Sequence, residues 1–492
     1  MKVRTVGFLS LVGMMLSSLT VWSLTPPAPT SEPETVAWTP PEPGETDPVG
    51  ASFRAGNTLM VEGRLGNDEL VADQDGETFL LVNVQADDSG VAATPAPLNL
   101  AIVIDRSGSM RGKRLENALD AARGIVRRLR DDDVVSVIAY NTTTATTVPP
   151  TTIDSLSRER VIRSLSGITA QGDTCISCGI DAAMSELRGR SGMVNRILLL
   201  SDGEATAGVR DEQGFRQIAE RCRGMGASIS SIGVDVDYNE RVMSLLALES
   251  NGRHHFVQNA SDLPRAFDDE LDTLAKTVAK DAEVSVELAP GVRMAQVFDR
   301  SFRREGDRLV VPMGGFSAGE QKTLLVKLSV PRGAKGVRPI ADVRMSYDDL
   351  VAGGRGSCDG KLSLLAGDKS SALDPLVQGR LLRSETAKAL TEANQLFSAG
   401  RTGEAKAKLS SRLAALEEQK KIALKAAPAR RRAELSEDLG RQASALGEAE
   451  SGFASPPPAA AAAAEPAAAP EDSRRGRAQV KQNAQVATDL AF

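Results

Sequence analysis

The spacing of apolar positions changes along the chain, and each change marks a different kind of segment. Lys2 and Arg4 precede an uncharged apolar stretch from Val6 to Leu24, which reads as an export signal over residues 1–24. It fits either cleavage after Ser23 or retention as an N-terminal membrane anchor, since ~20 apolar residues span a bilayer. Residues 25–48 are rich in Pro, Thr and Glu, the composition of an extended linker. From 49 to 97 short alternating runs such as Thr58–Val61 and Thr78–Val84, separated by Gly, Asn and Asp, predict strands. The same texture returns over 276–348, in Ala282–Leu288, Arg308–Val311, Lys322–Val330 and Ala341–Met345. A β-sandwich-like domain split by an insertion accounts for both halves, with two separate small sheets as the alternative.

The inserted segment, 98–275, has another rhythm. Asn99–Ile104 is apolar without alternation, as in a strand buried on both faces of a parallel sheet. Leu115, Leu119, Ala122, Val126 and Leu129 then share one helical face. Further strands are predicted at Val134–Tyr140, Arg196–Leu200, Ile229–Val234 and His254–Val257, each separated by helix-length segments. The fold class is therefore α/β, a doubly wound domain, whose ligand site lies at the carboxyl ends of its strands. Residues 349–370 are read as a linker and 371–451 as helices, with Leu373, Val377, Leu381, Leu390 and Phe397 in helical register. Residues 452–492, Ala- and Pro-rich with the basic cluster Arg474-Arg475-Gly476-Arg477, are read as a disordered tail.

The chain has 492 residues, 59 Lys+Arg, 65 Asp+Glu and a net charge of −6. It has no global basic field, so nucleic acid is not an expected partner. Its two histidines are adjacent, His254 and His255, which excludes a three-His zinc site and points to structural roles on the last strand.

The predicted strand ends carry the chemistry. Asp105-Arg106-Ser107-Gly108-Ser109 follows the first strand, Gly172-Asp173-Thr174 lies between, and Ser201-Asp202-Gly203-Glu204 follows a later one. With this strand context, Asp-x-Ser-x-Ser, a distant Thr and a distant Asp-Gly resemble the metal-ion-dependent adhesion site of von Willebrand factor type A domains, over about residues 98–275. The resemblance implies a Rossmann-like fold and a cation held by Asp105, Ser107, Ser109, Thr174 and Asp202. Independently, hydroxyl and carboxylate oxygens without thiolate or imidazole suit Mg²⁺, with Mn²⁺ or Ca²⁺ as alternatives. A coordination position left open to solvent would accept an exposed Asp or Glu of another protein, the family's mode of adhesion.

Asp173 and Glu204 flank these positions as candidate modulators of the site, with solvated or helix-capping carboxylates as the alternative. Cys175 and Cys178, directly after Thr174, are read as a disulfide in an exported protein, free thiols being the alternative. Cys222 is expected to be a buried thiol, and whether it pairs with Cys358 is open. The order of parts loosely resembles inter-alpha-trypsin inhibitor heavy chains and bacterial counterparts. The expected function is cation-dependent protein binding after export to the periplasm, the cell surface or the medium. An envelope scaffold with a structural metal is the alternative; an enzyme is disfavoured because no general base, nucleophile pair or phosphate loop accompanies the metal loops.

Overall fold

The structure is a computed structural model that describes residues 49–88, 95–190, 192–453 and 471–491. The export segment and Pro-rich linker expected over 1–48 lie outside the described residues. Among the described residues no helix is long and apolar enough to cross a membrane.

The chain first lays down β1 (Ser52–Gly56), β2 (Leu59–Leu65), β3 (Glu69–Val71) and β4 (Gly76–Ala86). It then enters the α/β domain: β5 (Leu98–Asp105), α1 (Lys113–Arg128), β6 (Val134–Tyr140), β7 (Thr144–Thr152), α2 (Ser155–Ser164) and α3 (Ile176–Leu187). There follow β8 (Val194–Ser201), α4 (Glu212–Gly224), β9 (Ala227–Val234), α5 (Glu240–Glu249), β10 (His254–Val257) and α6 (Leu263–Ala275). These strands form one sheet in the order β10-β9-β8-β5-β6-β7, parallel except for the β6–β7 pair. Every residue of β5 and β6 is buried, because helices cover both faces. Leu115, Leu119, Phe267 and Leu271 pack on one side, and Ile180, Phe215, Ile218 and Leu246 on the other.

β7 was not expected from the sequence. It is Thr-rich, holds two prolines and buries only Val148, which an edge strand tolerates.

After α6 the chain returns to β structure through β11 (Thr277–Leu288), β12 (Arg293–Phe298), β13 (Arg303–Glu305), β14 (Arg308–Ser317), β15 (Gln321–Val330), β16 (Gly336–Asp349) and β17 (Arg355–Gly367). Two sheets result, β1-β2-β4-β15-β12 and β13-β14-β11-β16-β17-β3, so strands from before and after the inserted domain interleave. They share one apolar core, including Phe53, Val82, Val284, Val326 and Val343. Phe53 wedges the sheets together. A Cβ on Gly63 or Gly360 would lie 2.0 Å or 2.2 Å from its ring, so glycine is needed on both sides.

The linker expected over 349–370 is corrected here: Arg355–Gly367 pairs with β16 along its length. Its inward positions include Leu362 and Leu364 beside Cys358, Gly360 and Ala366, and the small residues among them interrupt the apolar alternation. Cys222 and Cys358 are both free, buried thiols.

Four helices complete the chain: α7 (Pro375–Ser398), α8 (Thr402–Ala426), α9 (Ala429–Gly452) and α10 (Glu471–Ala491). They share a core of Leu390, Phe397, Leu409, Leu439, Phe453 and Val480. Phe397 stacks on Phe453 with centroids 4.3 Å apart. The bundle is tied to the β part by Val377 against Leu81 and Leu325 and by buried Arg380, which donates to Thr323 Oγ1 (2.6 Å) and Asp299 Oδ2 (2.9 Å). The disordered tail expected over 452–492 is corrected for 471–491, which is helical. It packs Val480, Val486, Ala487 and Leu490 on the bundle, but these few apolar residues lie among charged and amide side chains, so its composition reads as polar. Residues 454–470 lie outside the described part.

The histidine pair has the structural role expected of it. His254 is buried on β10, with Nδ1 2.8 Å from Ser231 Oγ and Nε2 3.1 Å from Tyr238 Oη. Burial pushes its imidazole down to about 3 from 6.5. The unfolded chain therefore takes up this proton first as pH falls. The group favours folding above pH 6.5, and that contribution is lost as pH falls from 6.5 toward 3, at about 1.4 kcal/mol per unit. The imidazole of His254 is expected to remain neutral at pH 5. Ring ¹⁵N shifts of a protonated imidazole at that pH would show the burial argument to be wrong.

Candidate metal centre

Three loops meet at the carboxyl end of the central sheet because β5 and β8 are neighbours in parallel register, Ile104 opposite Leu200. This brings Asp105, the last residue of β5, beside Ser201 and Asp202. A backbone bond from Gly108 N to Gly172 O, 2.9 Å, fastens the first loop to the one bearing Thr174. The sequence-predicted residues thus come together. Ser107 Oγ lies 3.0 Å from Ser109 Oγ, and Ser109 Oγ donates to Asp202 Oδ1 at 2.7 Å. A Cβ at Gly203 would stand 3.6 Å from Ser109 Oγ and 3.7 Å from Thr174 Oγ1, so both hydroxyls face the same small space. Gly108 and Ser109 are exposed, which leaves the cluster open to solvent, while Asp105, Ser107, Thr174 and Asp202 are buried.

The two carboxylates have different surroundings. Asp105 Oδ1 accepts from Ser107 N (2.8 Å), and Oδ2 accepts from Ser201 Oγ (2.8 Å) and Tyr140 Oη (3.3 Å). Both of its oxygens already serve protein donors, the arrangement of a group that would reach a cation through water. Burial pushes its carboxyl up to about 6, and burial also raises that of Asp202. Desolvated carboxylates side by side are what a divalent cation offsets. With three hydroxyls at hand, the donors are oxygen only. Among the described residues no group of three or more His, Cys, Asp or Glu forms a rival metal cluster.

Thr174 is held by its backbone: its N–H donates to Thr206 Oγ1 (2.9 Å), and its carbonyl accepts from Thr206 N and Ala207 N. Cys175 and Cys178 are disulfide-bonded immediately behind it. A Cβ on Gly208, in the loop that follows Asp202, would lie 2.5 Å from Cys175 Sγ. The disulfide thus buttresses the segment that joins Thr174 to the Asp202 loop. Asp173 and Glu204 are both exposed, and Asp173 N donates to Thr142 Oγ1 at 3.0 Å.

Arg114 escaped the sequence reading. Its guanidinium donates to Asp202 Oδ2 (2.9 Å), Asp235 Oδ2 (2.5 Å) and Ser109 O (3.3 Å). It fixes the oxygen of Asp202 that Ser109 does not use. A signal existed: Lys113 and Arg114 open α1, where the helix dipole disfavours positive charge. A cation there needs a local carboxylate partner.

The family model of the von Willebrand factor type A domain matches residues 99–269. An uncharacterised protein of Synechocystis sp. is 26% identical over 275 residues, covering 52% of this chain and 63% of that protein. The uncharacterised protein YfbK of Escherichia coli is 27% identical over 266 residues, 51% of this chain and 45% of its own. Human inter-alpha-trypsin inhibitor heavy chain H4 is 25% identical over 230 residues, 44% of this chain and 24% of that one. The chain thus spans less than two thirds of each of these relatives. Among solved structures, a von Willebrand factor type A protein from Catenulispora acidiphila superposes with a TM-score of 0.64 at 16% identity, covering 79% of this chain and 89% of that one. The ArnB paralog VWA2 from Sulfolobus acidocaldarius gives 0.56 at 17% identity, covering 88% and 99%; at such identities both likenesses speak to fold alone. The sheet order, the loops at its carboxyl end and the family match agree: residues 99–269 of this chain are a von Willebrand factor type A domain.

Proposed function

We propose that this protein is an exported, divalent-cation-dependent protein-binding protein, whose type A domain engages an exposed Asp or Glu of a partner through a cation. Domains of this family serve protein–protein interaction, and many hold a divalent metal at the corresponding loops. The observation that carries the reading is the gathering of the Ser107, Ser109 and Thr174 hydroxyls at a solvent-open point where Ser109 bonds Asp202. Ser107, Ser109 and Thr174 would bind the cation directly, Asp202 and Asp105 through charge and water. Mg²⁺ fits first, Mn²⁺ or Ca²⁺ second. With mostly neutral direct donors the cation would stay electrophilic toward a carboxylate entering from solvent.

Export rests on residues 1–24, and the Cys175–Cys178 disulfide is in keeping with an oxidising compartment. Whether the N-terminal segment is cleaved or anchors the protein decides between release and the membrane surface. The likeness to inter-alpha-trypsin inhibitor heavy chains is in keeping with a protein-interaction role.

The test is retention of envelope proteins on the immobilised chain with Mg²⁺, with EDTA, and with Ser109→Ala in Mg²⁺. A partner is expected that elutes with EDTA and is absent from the Ser109→Ala column. Retention that survives both treatments would replace this reading with a constitutive scaffold.

A further inference from the structure

We infer that the segment following β9, Asp235 to Glu240, is an acidic docking surface for a basic helix, and that α10 of the same chain occupies it as a reversible clasp on the metal loops. The coupling part of this inference rests on the metal-site reading above.

The complementarity is ordered along the helix. Arg474, Arg477 and Lys481 stand one turn apart on α10 and meet Asp235 (3.2 Å), Asp237 (3.3 Å) and Glu240. Lys481 is the anchor, 7% exposed. Its ammonium also donates to Tyr238 O at 2.6 Å and stands 4.9 Å from the centre of the Tyr238 ring. Further along, Gln485 Oε1 accepts from Phe256 N (2.9 Å), satisfying an edge of β10.

The two sides of α10 differ in kind. Toward the bundle it packs Val480 into the core, places Gly476 against Phe397 and exchanges bonds between Asn483, Val480 and Asn394. Toward the type A domain it offers mostly charge. Arg474 and Arg477 are 54% and 37% exposed, and such pairs contribute little individually and weaken with salt. The helix therefore belongs to the bundle. It holds the type A domain by three ion pairs, two of them exposed and one anchored at buried Lys481. With few apolar side chains between them, the contact can open as the charges are screened or removed.

That contact reaches the metal loops through shared carboxylates. Asp235 takes Arg474 on Oδ1 and Arg114 on Oδ2, and Arg114 bonds Asp202 with its other amino group. With α10 released, Asp235 loses one cation and holds Arg114 more strongly. Asp202 is then freer to serve the bound cation. Release should tighten cation binding, and by the reciprocity of linkage a bound cation should loosen the clasp.

The test uses the full chain with Arg474→Glu, Arg477→Glu and Lys481→Glu combined, and a charge-swapped partner in which Lys481→Glu is paired with Glu240→Lys. Amide hydrogen exchange over 235–242 reads docking, and Mg²⁺ calorimetry reads the coupling. Expected are loss of protection in the triple variant, about fivefold tighter Mg²⁺ binding, at the low end of typical couplings, and return of both toward wild type in the swap. A salt series on the unaltered protein should raise exchange in the same segment, giving a readout free of any folding defect. Unchanged protection in both experiments overturns the docking surface. Lost protection with Mg²⁺ affinity within twofold of wild type overturns the coupling. A wild-type chain that takes up no Mg²⁺ instead overturns the metal-site reading and the coupling with it, while exchange still decides the docking.

Discussion

Replacing Ser109 by Ala and Thr174 by Val together is expected to weaken Mg²⁺ binding by about 100-fold or more, with the far-UV circular dichroism unchanged. Loss of outer hydrogen-bond partners alone costs metal sites ~10–100-fold, and these two hydroxyls are direct donors in the proposed site. The fold should tolerate the change. Ser109 is exposed, and Thr174 is positioned by its backbone bonds to Thr206 and Ala207 rather than by its hydroxyl. Calorimetric titration of both proteins decides it; affinities within threefold of each other would remove these hydroxyls from any cation site.

The second large effect concerns the β part that carries the type A domain. Phe53→Ala is expected to destabilise it by about 3–5 kcal/mol, the cost of deleting a buried aromatic ring and leaving its cavity. The ring is 2% exposed and lies between Gly63 on its own sheet and Gly360 on the other. Neither glycine has a side chain with which to fill the void, and strands on both sides are held by pairing, so little collapse is available. Urea unfolding followed by circular dichroism should show the shift in midpoint. A loss below about 1 kcal/mol would mean that the sheets close over the gap.

The α/β domain was legible because β5 and β6 are buried on both faces and so read as unbroken apolar runs. The clustering of the candidate site was legible because its oxygen-bearing residues sit at strand ends: Asp105, Ser107, Ser109, Thr174 and Asp202 all fall where the three loops meet. Three features were hidden for separate physical reasons. β7 is an edge strand of threonines and prolines that buries one apolar side chain. β17 faces the core with Leu362 and Leu364 but also with Cys358, Gly360 and Ala366, small residues that interrupt its apolar alternation, with Phe53 filling the space beside Gly360. α10 carries few large apolar residues, Val480, Val486 and Leu490, and is otherwise fixed by Lys481, Asn483 and Gln485, polar groups whose partners come from elements distant in sequence. Arg114 belongs with α10 in this respect, since its meaning depends on Asp202 and Asp235 arriving from β8 and β9.

The most direct measurement is the position of a bound cation. Crystals grown with Mn²⁺ should give a single strong anomalous peak in the space enclosed by Ser107 Oγ, Ser109 Oγ and Thr174 Oγ1, about 2.1 Å from these oxygens as octahedral hard-cation sites require. Asp202 should lie beside it and a coordination position should face solvent. Mn²⁺ absent from these loops at saturating concentration, or bound only elsewhere on the protein, would contradict a cation-dependent binding function.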